Sequence, residues 1–394
     1  MTASDQEIAM LIEKLNSDSW RIRRDAAVLL GKRADSRVVK PLINSLKDED
    51  LEVKWASIKA LGRLADKLAV DPLIQIALEG DDREFWAAAT KALSLIEDDQ
   101  IIEKLSMILA SGNAVERLKV TAMLGMLGGS RAVELLLESL KDEDSDVKRE
   151  AAWSLGRMAD KQAVDGLIEI LEDADENVRW AAAKSLGELG DPQAEKQLIK
   201  ALDDEFPHVR EIVAEVLGEI GTSKAVEPLV RSLQDDYWNV LEKVTGALEK
   251  LEWQVTASER ILFLLAKQEW DALVGIGEQA VEYLVKALGY RYSDAGIFTR
   301  DISENQNMIT RSLKRIGKPA VEIIISFLVN QGSNRDDSFL TKSLTILKDL
   351  SPLPAQLQPL KPLLLAVTLS KSGEELKAVV KELLLLTDRY QSAN

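Results

Sequence analysis

The sequence has no cysteine and one histidine, His208. The first absence excludes disulfides, thiolate metal sites, iron–sulfur clusters and cysteine nucleophiles. The second excludes metal centres built from several imidazoles. Positive charge is scarce as well: 50 Lys and Arg face 66 Asp and Glu, a formal net charge of −16. Such a balance disfavours nucleic acid and anionic membrane surfaces, both of which need a cationic surplus. No apolar stretch reaches the ~20 residues of a membrane span. Met1 to Leu15 carry no basic segment followed by an apolar run, so no leader is expected. The expectation is a cytoplasmic protein with no membrane partner. Nothing resembles a phosphate-cradling Gly loop, a Ser/His/Asp arrangement or a paired-carboxylate site. The sequence therefore predicts no catalytic residue, no metal ligand and no cofactor.

What is present is a repeat. An aliphatic residue is followed by a basic one, by two small residues four and five places on, and by Leu-Gly at eight and nine. It is plain in Val147-Lys148…Ala151-Ala152…Leu155-Gly156 and Val178-Arg179…Ala182-Ala183…Leu186-Gly187. It returns at Ile22, Val53 and Val209, with degenerate copies from Phe85, Glu116 and Val240. The starts 22, 53, 85, 116, 147, 178, 209 and 240 are 31 or 32 residues apart. The first segment of each unit places apolar or small residues on one face of a helix, and the +9 Gly is read as its end. A second helix follows, as in Ala163 to Leu171 and Ala225 to Leu233. A lone helix pair cannot cover its apolar stripe, so neighbouring pairs must stack. The pattern predicts an all-α protein, an α-α superhelix or α-solenoid of about eight 31-residue repeats with a divergent helical C-terminal region.

Three regions are expected: an N-terminal capping helix in 1–17, the repeat solenoid in 18–250, and divergent helices with a C-terminal cap in 251–394. Gly277 to Leu284 and Gly317 to Ile324 look like second helices 40 residues apart, with an insertion loop at 290–300 between them. Ser372 and Glu375 have the spacing of a capping box ahead of a stripe formed by Leu376, Val379, Val380, Leu383 and Leu384.

These units resemble the short HEAT repeats of the phycobilin-lyase type from about residue 18 to 250. The resemblance is to an architecture whose members range from bilin-handling proteins to scaffolds without chemistry. Deoxyhypusine hydroxylase, another protein with such repeats, holds two irons through His-Glu motifs. Here the single His208 is followed by Val209, so that activity is excluded. In similar proteins the first helices line the concave surface, where binding commonly occurs.

The eight Trp residues indicate where such a surface lies. On the first-helix wheel the repeat core spans about 0° to 140°, and positions −2, −1, +2, +3 and +6 span about 160° to 300° on the opposite face. Trp20 and Trp238 stand at −2, Trp55 and Trp180 at +2, and Trp153 at +6; Trp86 is at +1 or +2, depending on register. The same face carries Arg21, Arg24, Lys59, Arg149, Lys184 and His208, and its basic and acidic residues balance. A neutral, aromatic-rich face suits a protein or peptide partner better than a phosphate backbone. The expected ligand surface thus comprises Trp20, Arg21, Arg24, Trp55, Lys59, Trp86, Arg149, Trp153, Trp180, Lys184, His208 and Trp238. The alternative that the resemblance implies is a tetrapyrrole held by the Trp row, with arginines on its propionates. The basic residues at +1, which recur beside the loop residues Asp35, Asp66, Asp160 and Asp191, are expected to form a structural ladder between repeats.

Overall fold

The computed structural model describes residues 3–33, 35–79, 83–98, 100–291, 302–331, 335–353, 355–370 and 372–391. The insertion loop expected at 290–300 lies outside them except for Tyr290 and Arg291. Among the described residues the chain is helical without a strand; Tyr237 and Arg291 form an isolated parallel bridge. No helix of the described residues is long and apolar enough to cross a membrane. Two compact units, 1–194 and 195–394, make up the chain.

In the N-terminal unit the first helices are α2 (Trp20–Leu30), α4 (Leu51–Leu64), α6 (Arg83–Leu93), α8 (Ala114–Leu127), α10 (Ser145–Met158) and α12 (Glu176–Leu189). Each begins two residues before the aliphatic position of its repeat, and each packs on the next. The second helices are α3 (Val39–Ser45), α5 (Val70–Leu78), α7 (Gln100–Ser111), α9 (Ser130–Ser139) and α11 (Val164–Glu169). They form the other layer. The repeat core between the layers holds Ala26, Ala27 and Leu30, and their equivalents Ala151, Ala152 and Leu155 further along, all at most 1% exposed. The expected N-terminal helix is α1 (Ala3–Lys14), packed on α2.

The acidic turns have two jobs. Asp50, Asp144 and Asp175 accept backbone N–H groups at the starts of α4, α10 and α12, as N-caps do. The preceding aspartates are the ladder. Arg23 binds Asp48 through Nε at 2.7 Å and Nη2 at 2.8 Å, and its Nη1 reaches the Ser17 carbonyl at 2.9 Å. Arg117 holds Asp142 in the same two-armed way, and Lys148 pairs with Asp173. The ladder therefore forms, but not with the loop aspartates. Asp35, Asp66, Asp160 and Asp191 accept the N–H two residues on and cap short 3₁₀ turns instead.

Gly31 ends α2 as its C-cap, as expected, but Gly62, Gly125, Gly156, Gly187 and Gly218 lie inside their helices. α4 and α10 run two residues beyond Gly62 and Gly156, and the left-handed turn falls on Ala65 (φ 51°) and Ala159 (φ 54°). What the glycines permit is approach: a Cβ added at Gly62 would lie 2.9 Å from Ala92 Cα, and one at Gly156 2.7 Å from Ser185 Cβ. Gly31, Gly62, Gly125, Gly156 and Gly218 each receive the small +7 residue of the following first helix. This removes the side chains that would hold α4 from α6, or α10 from α12.

In the C-terminal unit α13 (Glu195–Ala201), α14 (Pro207–Ile220), α15 (Ser223–Arg231) and α16 (Trp238–Lys250) keep the repeat. Arg210 grips Asp235 at 2.7 Å, the ladder pair of this unit. Beyond α16 come α17 (Arg260–Ala266), α18 (Trp270–Ile276), α19 (Val281–Ala287), α20 (Ile302–Ile316), α21 (Pro319–Gln331), α22 (Asp337–Asp349), α23 (Lys361–Leu369) and α24 (Glu374–Gln391). The period is lost but the layering is not. α18, α20, α22 and α24 pack in succession, as do α17, α19 and α21. The stripe of α24 buries Leu376, Val379, Val380 and Leu383, with Leu384 half-buried. Ser372 does not act as a capping-box acceptor. Its hydroxyl donates to Asp337 Oδ1 at 3.1 Å, and the Gly373 N–H donates to Asp337 Oδ2 at 2.9 Å.

Candidate functional site

The outward face of α2 to α12 is built from aromatic rings that span adjacent helices. Trp20 is half-buried beneath two guanidiniums, Arg21 at 4.9 Å and Arg24 at 5.4 Å from its ring centroid. Cations over an indole face are held by its quadrupole. Trp55 is half-buried too: it meets Phe85 of α6 edge to face at 5.9 Å, while Lys59 Nζ lies 4.6 Å over its ring. Trp153 of α10 and Trp180 of α12 form a second edge-to-face pair at 5.9 Å, with Trp153 41% exposed. Beside it Arg149 is paired with Asp146 at 2.7 Å, and Lys184 is half-buried. Burial pushes the Glu150 carboxyl up, against the pull of Arg157, Arg149 and Arg83. Trp55, Trp153 and Trp180 therefore both fasten one repeat to the next and remain partly open to solvent.

Between α4 and α6 the face opens into a cleft of about 440 Å³. Gly62, Ala87, Ala88 and Ala92 line its floor; Trp55 and Leu95 also border it, and Lys59, Arg63, Lys91 and Glu84 supply its charges. Arg63, Lys91 and Leu95 are absent from the expected ligand set. Arg63 and Leu95 stand at +10, which the wheel places at about 280°, on the outward face. Carrying the wheel one further turn reveals them.

Three expected site residues are elsewhere. α6 starts at Arg83, which fixes its register and puts Trp86 at +1, the ladder position. Twenty-five residues on, where the other ladder pairs have an Asp, stands Ser111, whose hydroxyl donates to the Met107 carbonyl. Trp86 thus replaces a ladder cation, and its enclosed indole N–H has no acceptor among the described residues. Trp238 is 1% exposed and is core. Tyr290 stands 5.3 Å and Trp270 6.2 Å from it, ring to ring, and its backbone N–H donates to the Arg291 carbonyl at 2.8 Å. The wheel treats α16 as flanked only by repeats; the segment after α19 returns and covers position −2. His208, also in the C-terminal unit, is half-buried beside Phe206, ring centroids 5.8 Å apart. The structure therefore brings Trp20, Arg21, Arg24, Trp55, Lys59, Arg149, Trp153, Trp180 and Lys184 onto the outward face of first helices of one unit, and leaves Trp86, at the ladder position of α6, and His208 and Trp238, in the other unit, off that set.

The family model for HEAT repeats matches residues 8–94, 102–173 and 164–249. No curated protein matches the chain. Similar solved structures include human deoxyhypusine hydroxylase in complex with glycerol, 21% identical, covering 54% of this chain and 84% of that one with a TM-score of 0.29. The complex of CpcE and CpcF of phycocyanin lyase from a Nostoc species is 24% identical, covering 62% and 94% with a TM-score of 0.29. Kap121p bound to RanGTP is 15% identical, covering 97% and 45% with a TM-score of 0.47. At these identities the likeness is one of fold.

Proposed function

The chain belongs to the HEAT-repeat family, and from that premise we propose that it is a non-catalytic adaptor that binds a protein or peptide on the outward first-helix face of its N-terminal unit. The observation that carries the reading is the conjunction on one face of half-exposed indoles, paired charges of both signs and an apolar-floored cleft. Aromatic anchors beside a small pocket, rimmed by charge, are what protein recognition uses. A flat tetrapyrrole is served less well, since the two indole pairings available to it, Trp55–Phe85 and Trp153–Trp180, each meet at 76° and offer no parallel walls.

The test is a lysate pull-down with mass spectrometry, comparing the wild-type chain with a Trp153→Ser/Ala88→Arg variant. The reading expects a protein retained by the first and lost by the second. Identical protein lists, or a shift in visible absorbance on adding free bilin without any retained protein, would overturn it.

A further inference from the structure

We propose that the α4–α6 cleft anchors an acidic segment of the partner, one in which a bulky apolar side chain is flanked by Asp or Glu. This rests on the reading of the outward face as a protein-binding surface and goes on to name the chemistry of what binds. The floor formed by Gly62, Ala88 and Ala92 carries no charge. Three cations, Lys59, Arg63 and Lys91, surround it against one acid, Glu84. Among the described residues none of the three has a carboxylate within ion-pair distance. Arg24 and Arg149, on the same face, are already tied to Asp25 and Asp146 at 2.7 Å. In a chain of net charge −16, an apolar hollow ringed by cations that no carboxylate of the described residues pairs is complementary to carboxylates around an apolar anchor, and repels basic peptides.

The hollow has a traceable origin. Repeats two and six place Trp55 and Trp180 at +2, whereas repeat three has Ala87 there and Ala88 next to it. The indole of the third repeat, Trp86, is one position back in the ladder row, so the +2 position of α6 carries only a methyl group, and the Phe85 ring that meets Trp55 does not line the hollow. Gly62 lets α6 approach closely enough to close the floor. At about 440 Å³ the cleft is within the ~300–1,000 Å³ range of ligand sites. It has room for an anchor and a neighbouring side chain.

The experiment is selection of random displayed peptides on the immobilised full chain, followed by affinity measurement on three variants whose helicity is checked by circular dichroism. Ala88→Arg blocks the floor and keeps the positive charge; Lys59→Ser/Arg63→Ser/Lys91→Ser removes the charge and keeps the floor; Trp153→Ser alters the face away from the cleft. The expected peptides carry a bulky apolar residue between acidic ones, lose binding to Ala88→Arg, weaken about tenfold or more on the triple Ser variant and more at high salt, and ignore Trp153→Ser. Peptides without acidic bias, or peptides sensitive only to Trp153→Ser, would overturn this assignment while leaving the face a protein-binding surface. No enrichment on the wild-type chain would overturn both.

Discussion

Gly31 and Ala60 stand so close that a Cβ added at Gly31 would lie 2.5 Å from the Ala60 Cβ and 2.6 Å from its Cα. The relation recurs as Gly125 to Ser154 in the same unit and Gly218 to Ala247 in the other. Because the clash at Gly218 is with backbone, at 2.7 Å from Ala247 Cα, it cannot be relieved by a rotamer. Gly218→Ala is expected to destabilise by about 1–3 kcal/mol through overpacking. Gly246→Ala, with nothing within 4 Å of the added carbon, should gain up to ~1 kcal/mol of helix propensity. Urea denaturation of the two variants checks the contrast.

The ladder makes a second prediction. Arg117 binds Asp142 with two nitrogens and the Gly112 carbonyl with a third, whereas Arg131 pairs with Glu134 on the surface of its own helix. Arg117→Ala leaves a half-buried carboxylate uncompensated and should lower Tm distinctly more than Arg131→Ala, whose surface pair contributes little. Scanning calorimetry distinguishes them.

Acid should act through the same pairs. The Arg23 guanidinium holds the Asp48 carboxyl below the usual carboxylate range, helped by the Asp50 N–H, and Arg37 holds Asp35 down to about 2. A depressed carboxylate contributes stability that is full above its unfolded value, ~3.9, and is lost as pH falls through the folded one. Tm should therefore drop steeply below pH ~4, and less steeply in Asp48→Asn. Glu150 has the opposite sign: burial raises its carboxyl, so the ionised form costs stability at neutral pH. Glu150→Gln is expected to raise Tm at pH 7, with the gain gone below the unfolded value of ~4.3. A Tm–pH series on both variants reads both signs.

The two classes of tryptophan separate by stability. Trp238→Ala empties a fully buried site and should cost about 3–5 kcal/mol. Trp153→Ala forfeits chiefly its edge contact with Trp180, about 0.5–1.5 kcal/mol. Comparable losses in urea would contradict the placement of Trp153 on a working surface.

Much of this was legible in the residues because helix register is local. The spacing of Val147 and Val178 placed α10 and α12 in phase with each other, though not their ends, and the +1 basic row foretold a ladder. What escaped depends on contacts far apart in sequence. Nothing around Trp238 signals that Tyr290 and Arg291 return over it. The role of Gly156 emerges only when Ser185 is beside it; read alone, a Gly after Leu looks like a helix end. The cleft went unseen for a related reason: it is a missing ring, Ala87 where a neighbour has Trp55, and an absence shows only when two helices are side by side.

The central claim is that the outward first-helix face of the N-terminal unit is the binding surface. A photo-crosslinking residue at Ala88, in the cleft, compared in lysate with one at Glu138, exposed on the second-helix layer, tests it most directly. The account predicts a discrete protein adduct from position 88 and none from 138. An adduct from 138 alone, or the same adducts from both, would contradict it.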